Sequence, residues 1–111
     1  MSAKTNFDEA PVRLVDDTLK IHELVDTPNF DMVGATLNGD HPTLVNDVSD
    51  RAYYILDGSG IVCAGNECFP VEAGDAVQIA KGTAHSIKGT LRYLIITSPP
   101  FDPANERVIE G

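Results

Sequence analysis

The stretch Gly74–Gly89, GDAVQIAKGTAHSIKG, decides how the rest of the chain is read. Glycines at 74 and 82 allow tight turns, and DAVQIA between them alternates apolar and polar residues as a half-buried strand does. His85 follows the second turn and opens another apolar run. A histidine held between strands often binds a metal or moves a proton. The question is which side chains keep it company.

Outward from this stretch, short apolar runs recur at 12–15, 19–24, 30–37, 43–48, 51–56, 60–64, 75–80, 85–89 and 91–97. Each fits a half-buried strand, and the breakers DTPN, NGDHP, DGSG, AGN, EAGD and AKGTA separate them. No window holds a 3.6-residue period with caps at both ends, so few helices or none are expected. Many short strands at close spacing argue for an all-β sandwich or barrel. One domain is expected over 11–111, behind a flexible polar segment at 1–10. The tail 98–111 is rich in proline: Pro99, Pro100 and Pro103 remove ladder donors, so it cannot continue a central strand. It is expected to cross the barrel surface with Phe101 as an anchor.

The 111 residues, 42% hydrophobic and 23% charged, suit one globular core. Eight basic against 17 acidic residues give a formal charge of −9. Such a surface repels phosphate backbones and anionic lipid, so neither nucleic acid nor membrane is expected as a partner. No apolar run approaches the ~20 residues that span a bilayer. MSAKTNFDEAPVR has no apolar segment of the secretory kind, and a cytoplasmic location is expected. Cys63 and Cys68 flank a Gly65-Asn66 turn, which sets them opposite each other at a spacing compatible with a disulfide. A cytosol keeps such thiols reduced, and reduced thiols are the reading taken. No second Cys or His pair follows at zinc-site spacing.

The order of elements from about 43 to 97 resembles the cupin superfamily, small β-barrels of the jelly-roll type. Its second motif, G-x5-P-x-G-x2-H-x3-N, is similar to Gly74, Gly82 and His85 at the right spacing, with Ala80 and Gly89 where proline and asparagine are usual. Its first motif, G-x5-H-x-H-x3,4-E-x6-G, is similar to the frame of YYILDGSG, with Gly58 as the closing glycine. Arg51 then stands where the glutamate belongs. The two histidines fall at Val45 and Asp47, or at Leu44 and Asn46 with the longer spacer. The resemblance implies a cupin-type β-barrel (double-stranded β-helix) of the small single-domain kind with a degenerate first motif. It also implies a homodimer, joined by sheet augmentation or a swapped N-terminal strand.

The resemblance would supply three histidines and a glutamate around a divalent metal such as Fe, Mn, Ni or Zn. Here only His85 matches a ligand, Asp47 could replace one other, and Arg51 brings a fixed cation. No cofactor is therefore expected. By alternation Arg51, Tyr53 and Ile55 share the inward face, while Tyr54 and Leu56 face outward into packing. Arg51, Tyr53 and His85 together would make a polar patch in an apolar barrel, the common form of a small-molecule pocket. Arg51 would bind a small anion, with Asp47 beside it. His85 would serve as general acid or base with Tyr53 assisting. The resemblance to metal-free cupins that use a histidine and a tyrosine implies isomerase, epimerase, cyclase or lyase chemistry. The alternatives are a metal-dependent, dioxygenase-like cupin with atypical ligands around His85, and a non-enzymatic sensor or carrier. Each residue also has a plain reading. Arg51 could pair with Asp47 or Asp50 at the rim, and Tyr53 and Tyr93 could be core tyrosines. His85 could bond the backbone, His22 could be a surface or packing residue, and His41 could reach the centre only through an inward loop.

Overall fold

A computed structural model describes residues 3–109. Nine strands follow in chain order: β1 (Val12–Leu14), β2 (Leu19–Asp26), β3 (Asp31–Asp40), β4 (Leu44–Asn46), β5 (Asp50–Ala64), β6 (Glu67–Glu72), β7 (Ala76–Ile79), β8 (His85–Ser98) and β9 (Glu106–Val108). A single 3-10 turn, Pro103–Asn105, precedes β9. No helix among the described residues is long and apolar enough to cross a membrane.

The strands form one curled antiparallel sheet. One path runs β1-β2-β3-β8-β4-β9, and β5 pairs with β8 on one side and with β6 and β7 on the other. This is a cupin-type β-barrel fold. Its core joins Leu19 and Ile21 of β2, Ala35 and Leu37 of β3, Tyr53 and Ile55 of β5, and Ile87, Leu91 and Tyr93 of β8.

Along β8 the inward positions are odd-numbered throughout: His85, Ile87, Leu91, Tyr93 and Thr97 are all buried. Strict alternation of this kind keeps one face of a strand against the core. β5 behaves differently. The runs 51–56 and 60–64 fuse into one strand, and a bulge between Ile55 and Asp57 inserts Leu56 into the pairing with β8. The extra residue switches the inward parity, so Tyr53 and Ile55 are buried before it and Val62 after it. Tyr54 and Leu56 do face outward, but they are 44% and 41% exposed, so they meet solvent and not a packing layer.

Within the segment 1–10, Phe7 and Ala10 make contacts with the barrel. The Phe7 ring lies 4.3 Å from the His22 ring and carries the Arg92 guanidinium 4.5 Å from its centroid. Gly34 admits that ring: a Cβ there would collide with Phe7. Ala10 is buried. Residues 1–2 of this segment, and 110–111 of the tail, lie outside the described residues. His22 is a packing residue, bonded through Nε2 to Thr36 Oγ1 at 2.9 Å.

The hairpin between β5 and β6 sets Cys63 directly opposite Cys68, and the two form a disulfide with Cα atoms 4.0 Å apart. The expectation of reduced thiols is thus corrected. Cross-strand pairing brings the sulfurs within bonding reach whatever the compartment.

Candidate functional site

Arg51 is the second residue of β5, paired with Thr97 of β8 on one side and Ile79 of β7 on the other. That central position turns its side chain into the barrel, where it is 8% exposed. Its Nε donates to Thr97 Oγ1 at 3.3 Å, and its Nη1 donates to Glu106 Oε1 at 2.6 Å. Burial alone would lower the guanidinium pKa. The short hydrogen bond and the charge of Glu106 outweigh it, so the net shift is upward and the cation is firmly held.

His85 opens β8 after the Gly82 turn and is 3% exposed. Its Nδ1 lies 3.0 Å from the Thr83 carbonyl, which can only accept, so Nδ1 carries the proton. Nε2 then presents its lone pair to the interior, 3.5 Å from Arg51 Nη1. Burial depresses the imidazole pKa; the Thr83 bond pulls upward, and the Arg51 charge adds to the depression. The ring is therefore a neutral base at neutral pH.

Tyr53 lies two residues after Arg51 on the same face of β5. Its ring centroid is 6.1 Å from that of His85 and 5.5 Å, edge-on, from that of Tyr93. Burial raises its pKa, with the Arg51 charge partly opposing, so the hydroxyl stays protonated and available as a donor. Tyr93 is also buried and raised, by burial first and then by Tyr53.

The fold thus brings Arg51, Tyr53 and His85 into one buried cluster. Arg51 does not take the rim position beside Asp47 or Asp50. Asp47 does not join the cluster: its carboxylate points outward, 56% exposed, and pairs with Arg107 Nε at 3.2 Å. The residue on the inward face is its neighbour Asn46, 4% exposed. Leu44 pairs with His85 and Asn46 with Glu106, so both face the cluster, and Asp47, one residue later, takes the other side. His41 also remains outside, half-buried, with Nδ1 on the Pro42 carbonyl at 2.9 Å.

Glu106 escaped the sequence reading. The prolines do end the central sheet, and Phe101 is half-buried with its amide on Asp31 Oδ2 at 2.8 Å. Beyond them the chain returns as the edge strand β9 and sends Glu106, its side chain 12% exposed, inward to Arg51. The one available signal was an inward arginine in need of a buried counter-charge; Glu-Arg-Val-Ile at 106–109 carries no alternation that would mark a strand.

A divalent metal is what the fold family implies, and the donor set does not fit one. His85 Nε2 and Glu106 Oε1 are the candidate donors, and the Arg51 Nη1 cation lies within 3.5 Å of both. A second cation there would be repelled by a group that cannot lose its proton. Among the described residues no three His, Cys, Asp or Glu side chains converge.

A groove of about 170 Å³ lies beside the cluster, lined by Asp47, Val48, Ala104, Asn105, Glu106 and Arg107. A more open depression of about 400 Å³, over Asn38, Gly39, Lys88 and Gly89, shares no residue with the cluster.

No known family model matches the chain. It is 29% identical to the uncharacterized protein MJ1618 of Methanocaldococcus jannaschii, over 96% of this chain and 94% of that one. Among solved structures it is similar to Pac13 of Streptomyces, a nucleoside dehydratase seen with uridine, at 19% identity and a TM-score of 0.88, covering 99% of this chain and 92% of that one. It is also similar to KdgF of Halomonas (17% identity, TM-score 0.83, 94% and 99% covered). The polyketide cyclase RemF of Streptomyces resistomycificus follows at 18% identity and a TM-score of 0.80, with 100% and 87% covered. At these identities the likeness establishes the fold.

Proposed function

We propose that the protein is a metal-independent acid–base enzyme acting on a small polar metabolite inside the barrel, with His85 as base, Tyr53 as acid and Arg51 as the group that orients the substrate. One observation carries this reading. The Thr83 carbonyl fixes the His85 tautomer, so that a buried, neutral Nε2 faces Arg51 and lies next to a protonated Tyr53. A base and an acid held at one point suit removal of a proton next to a carbonyl and its return, or loss of a hydroxyl as water, at a neighbouring atom. The arginine would stabilise the enolate oxygen formed between the two steps. That the fold is shared with a nucleoside dehydratase and a polyketide cyclase supports this class of chemistry.

The test is solvent exchange. Small carbonyl and hydroxy-acid compounds, with uridine among them, are incubated with the protein in heavy water and followed by proton NMR. Deuterium should enter the carbon next to the carbonyl of an accepted compound, and His85→Ala should abolish it. Equal exchange with both proteins would reject the role of His85. A carrier or sensor would bind a compound without exchange.

A further inference from the structure

The Arg51–Glu106 pair fills the anion-binding position beside His85 with a carboxylate of the chain itself. Arg51 is 8% exposed, and the carboxylate on it comes from the same chain. The segment that delivers this carboxylate is slight. β9 has three residues and, among the described residues, pairs with β4 alone. Its other fastenings are the Ile109 amide on the Thr43 carbonyl at 2.9 Å and the exposed Arg107–Asp47 pair. Short edge elements with few buried contacts sit at the low end of local stability. Glu106 also borders the groove of about 170 Å³, so one side of the residue that covers Arg51 faces an open depression.

A second observation points to a ligand. Asn46 Oδ1 accepts from the amides of Val48 and Ser49 at 2.9 and 2.8 Å, which fixes the amide orientation, since a flip would set NH₂ against two N–H groups. Asn46 Nδ2 is buried and has no partner. It lies on the face shared with Glu106, its register partner. A buried donor without an acceptor is costly, and a purely structural ion pair gives no reason for it. An oxygen of a ligand entering beside Arg51 would satisfy it.

We propose that Glu106 stands in for the carboxylate of the protein's own ligand: Arg51 and Asn46 form a subsite for a small carboxylic acid, which enters by displacing Glu106 and the β9 strand. The proposal rests on the acid–base reading only for the location of the site. Exchange of one carboxylate for another leaves the buried charge balance unchanged. A phosphate dianion would add a negative charge, and a neutral compound would leave Arg51 uncompensated.

The probe is propionate, which matches the Glu106 side chain beyond its Cα. Propionate is titrated by NMR into the full-length wild type, Glu106→Gln and Glu106→Asp, with amide exchange followed at Ile109. Glu106→Gln should bind propionate at least about tenfold tighter than wild type, with Glu106→Asp between them. Saturating propionate should speed exchange at Ile109 in the wild type. Two outcomes overturn the proposal: affinities no higher in both variants, or propionate binding that leaves Ile109 exchange unchanged. Equal binding of propionamide, or tighter binding of inorganic phosphate, would overturn the carboxylate assignment. The readout needs no turnover, so failure of the acid–base reading appears separately, in the His85→Ala exchange experiment.

Discussion

Arg51 Nη1 and Glu106 Oε1 meet at 2.6 Å across 55 residues of chain, both nearly enclosed by the barrel. The pair ties the start of β5 to the last strand and neutralises the guanidinium beside His85. Enclosed pairs are costly to break singly, because the survivor is left as an uncompensated charge. Arg51→Met and Glu106→Leu are each expected to lower stability by about 3–5 kcal/mol, and the double variant by less than either alone. Denaturant titration of the four proteins checks this. Additive losses would mean that the two side chains are not coupled.

The depressed pKa of His85 has a definite sign for stability. The folded protein resists protonating this ring, while the unfolded chain takes a proton below about pH 6.5. Between those values the unfolded state holds more protons, so this contribution is fully present above about pH 6.5 and is lost as pH falls toward the folded value. Asp31, raised by burial first, acts in the opposite sense and is common to both proteins, so comparison with His85→Gln isolates the ring. Melting curves between about pH 5 and 7 should show a slope in the wild type that the variant lacks. For the same reason the acid limb of any pH–rate profile should lie below the ordinary histidine range.

Removing the Tyr53 hydroxyl separates chemistry from packing. Tyr53→Phe keeps the ring against Tyr93 and His85 and should change stability by no more than about 1.5 kcal/mol. As the general acid, its loss should lower kcat by about 10²–10⁴-fold with little change in KM. An unchanged kcat would assign Tyr53 to the core.

The outline of the barrel was legible because β8 alternates without interruption from His85 to Thr97, and because Gly74, Gly82 and His85 keep their spacing. The convergence of Arg51 and Tyr53 on His85 followed from the same frame. Asp47 was misplaced by a single residue. The first-motif spacer allowed either Leu44 and Asn46 or Val45 and Asp47 inward, and a one-residue slip exchanges the two faces of a strand. Glu106 was hidden for another reason: its role depends on a strand that forms after three prolines, on a pairing with β4 that no local pattern encodes. The Leu56 bulge was equally invisible, since it exists only relative to the pairing with β8.

The disulfide closes a short loop, with a sequence separation of 5, inside a hairpin already held by its ladder. On the chain-entropy account so small a loop contributes about 2 kcal/mol at most. Cys63→Ser combined with Cys68→Ser should therefore melt a little lower than the oxidised wild type and match the wild type in reductant. A reductant effect that persists in the double variant would point to a cause other than this bond.

Two glycines with positive φ should respond very differently to alanine. Gly65 has φ of +60° and nothing within 4 Å of an added Cβ, so Gly65→Ala bears only the left-handed backbone term, about 1–2 kcal/mol. Gly58 has φ of +87°, and an added Cβ would run into the backbone carbonyl of Thr90 on β8. Backbone cannot step aside as a side chain can, so the strand pairing next to the Leu56 bulge must open. That pairing carries β5 from the site strand, with Arg51 and Tyr53, into the β5–β6 hairpin. Gly58→Ala should accordingly cost more than Gly65→Ala and loosen the cluster around His85. Denaturant midpoints for the two variants, with the His85 ring shifts by NMR, test both parts. Equal stabilities and unmoved ring signals would show that the close approach at Gly58 places no demand on the site.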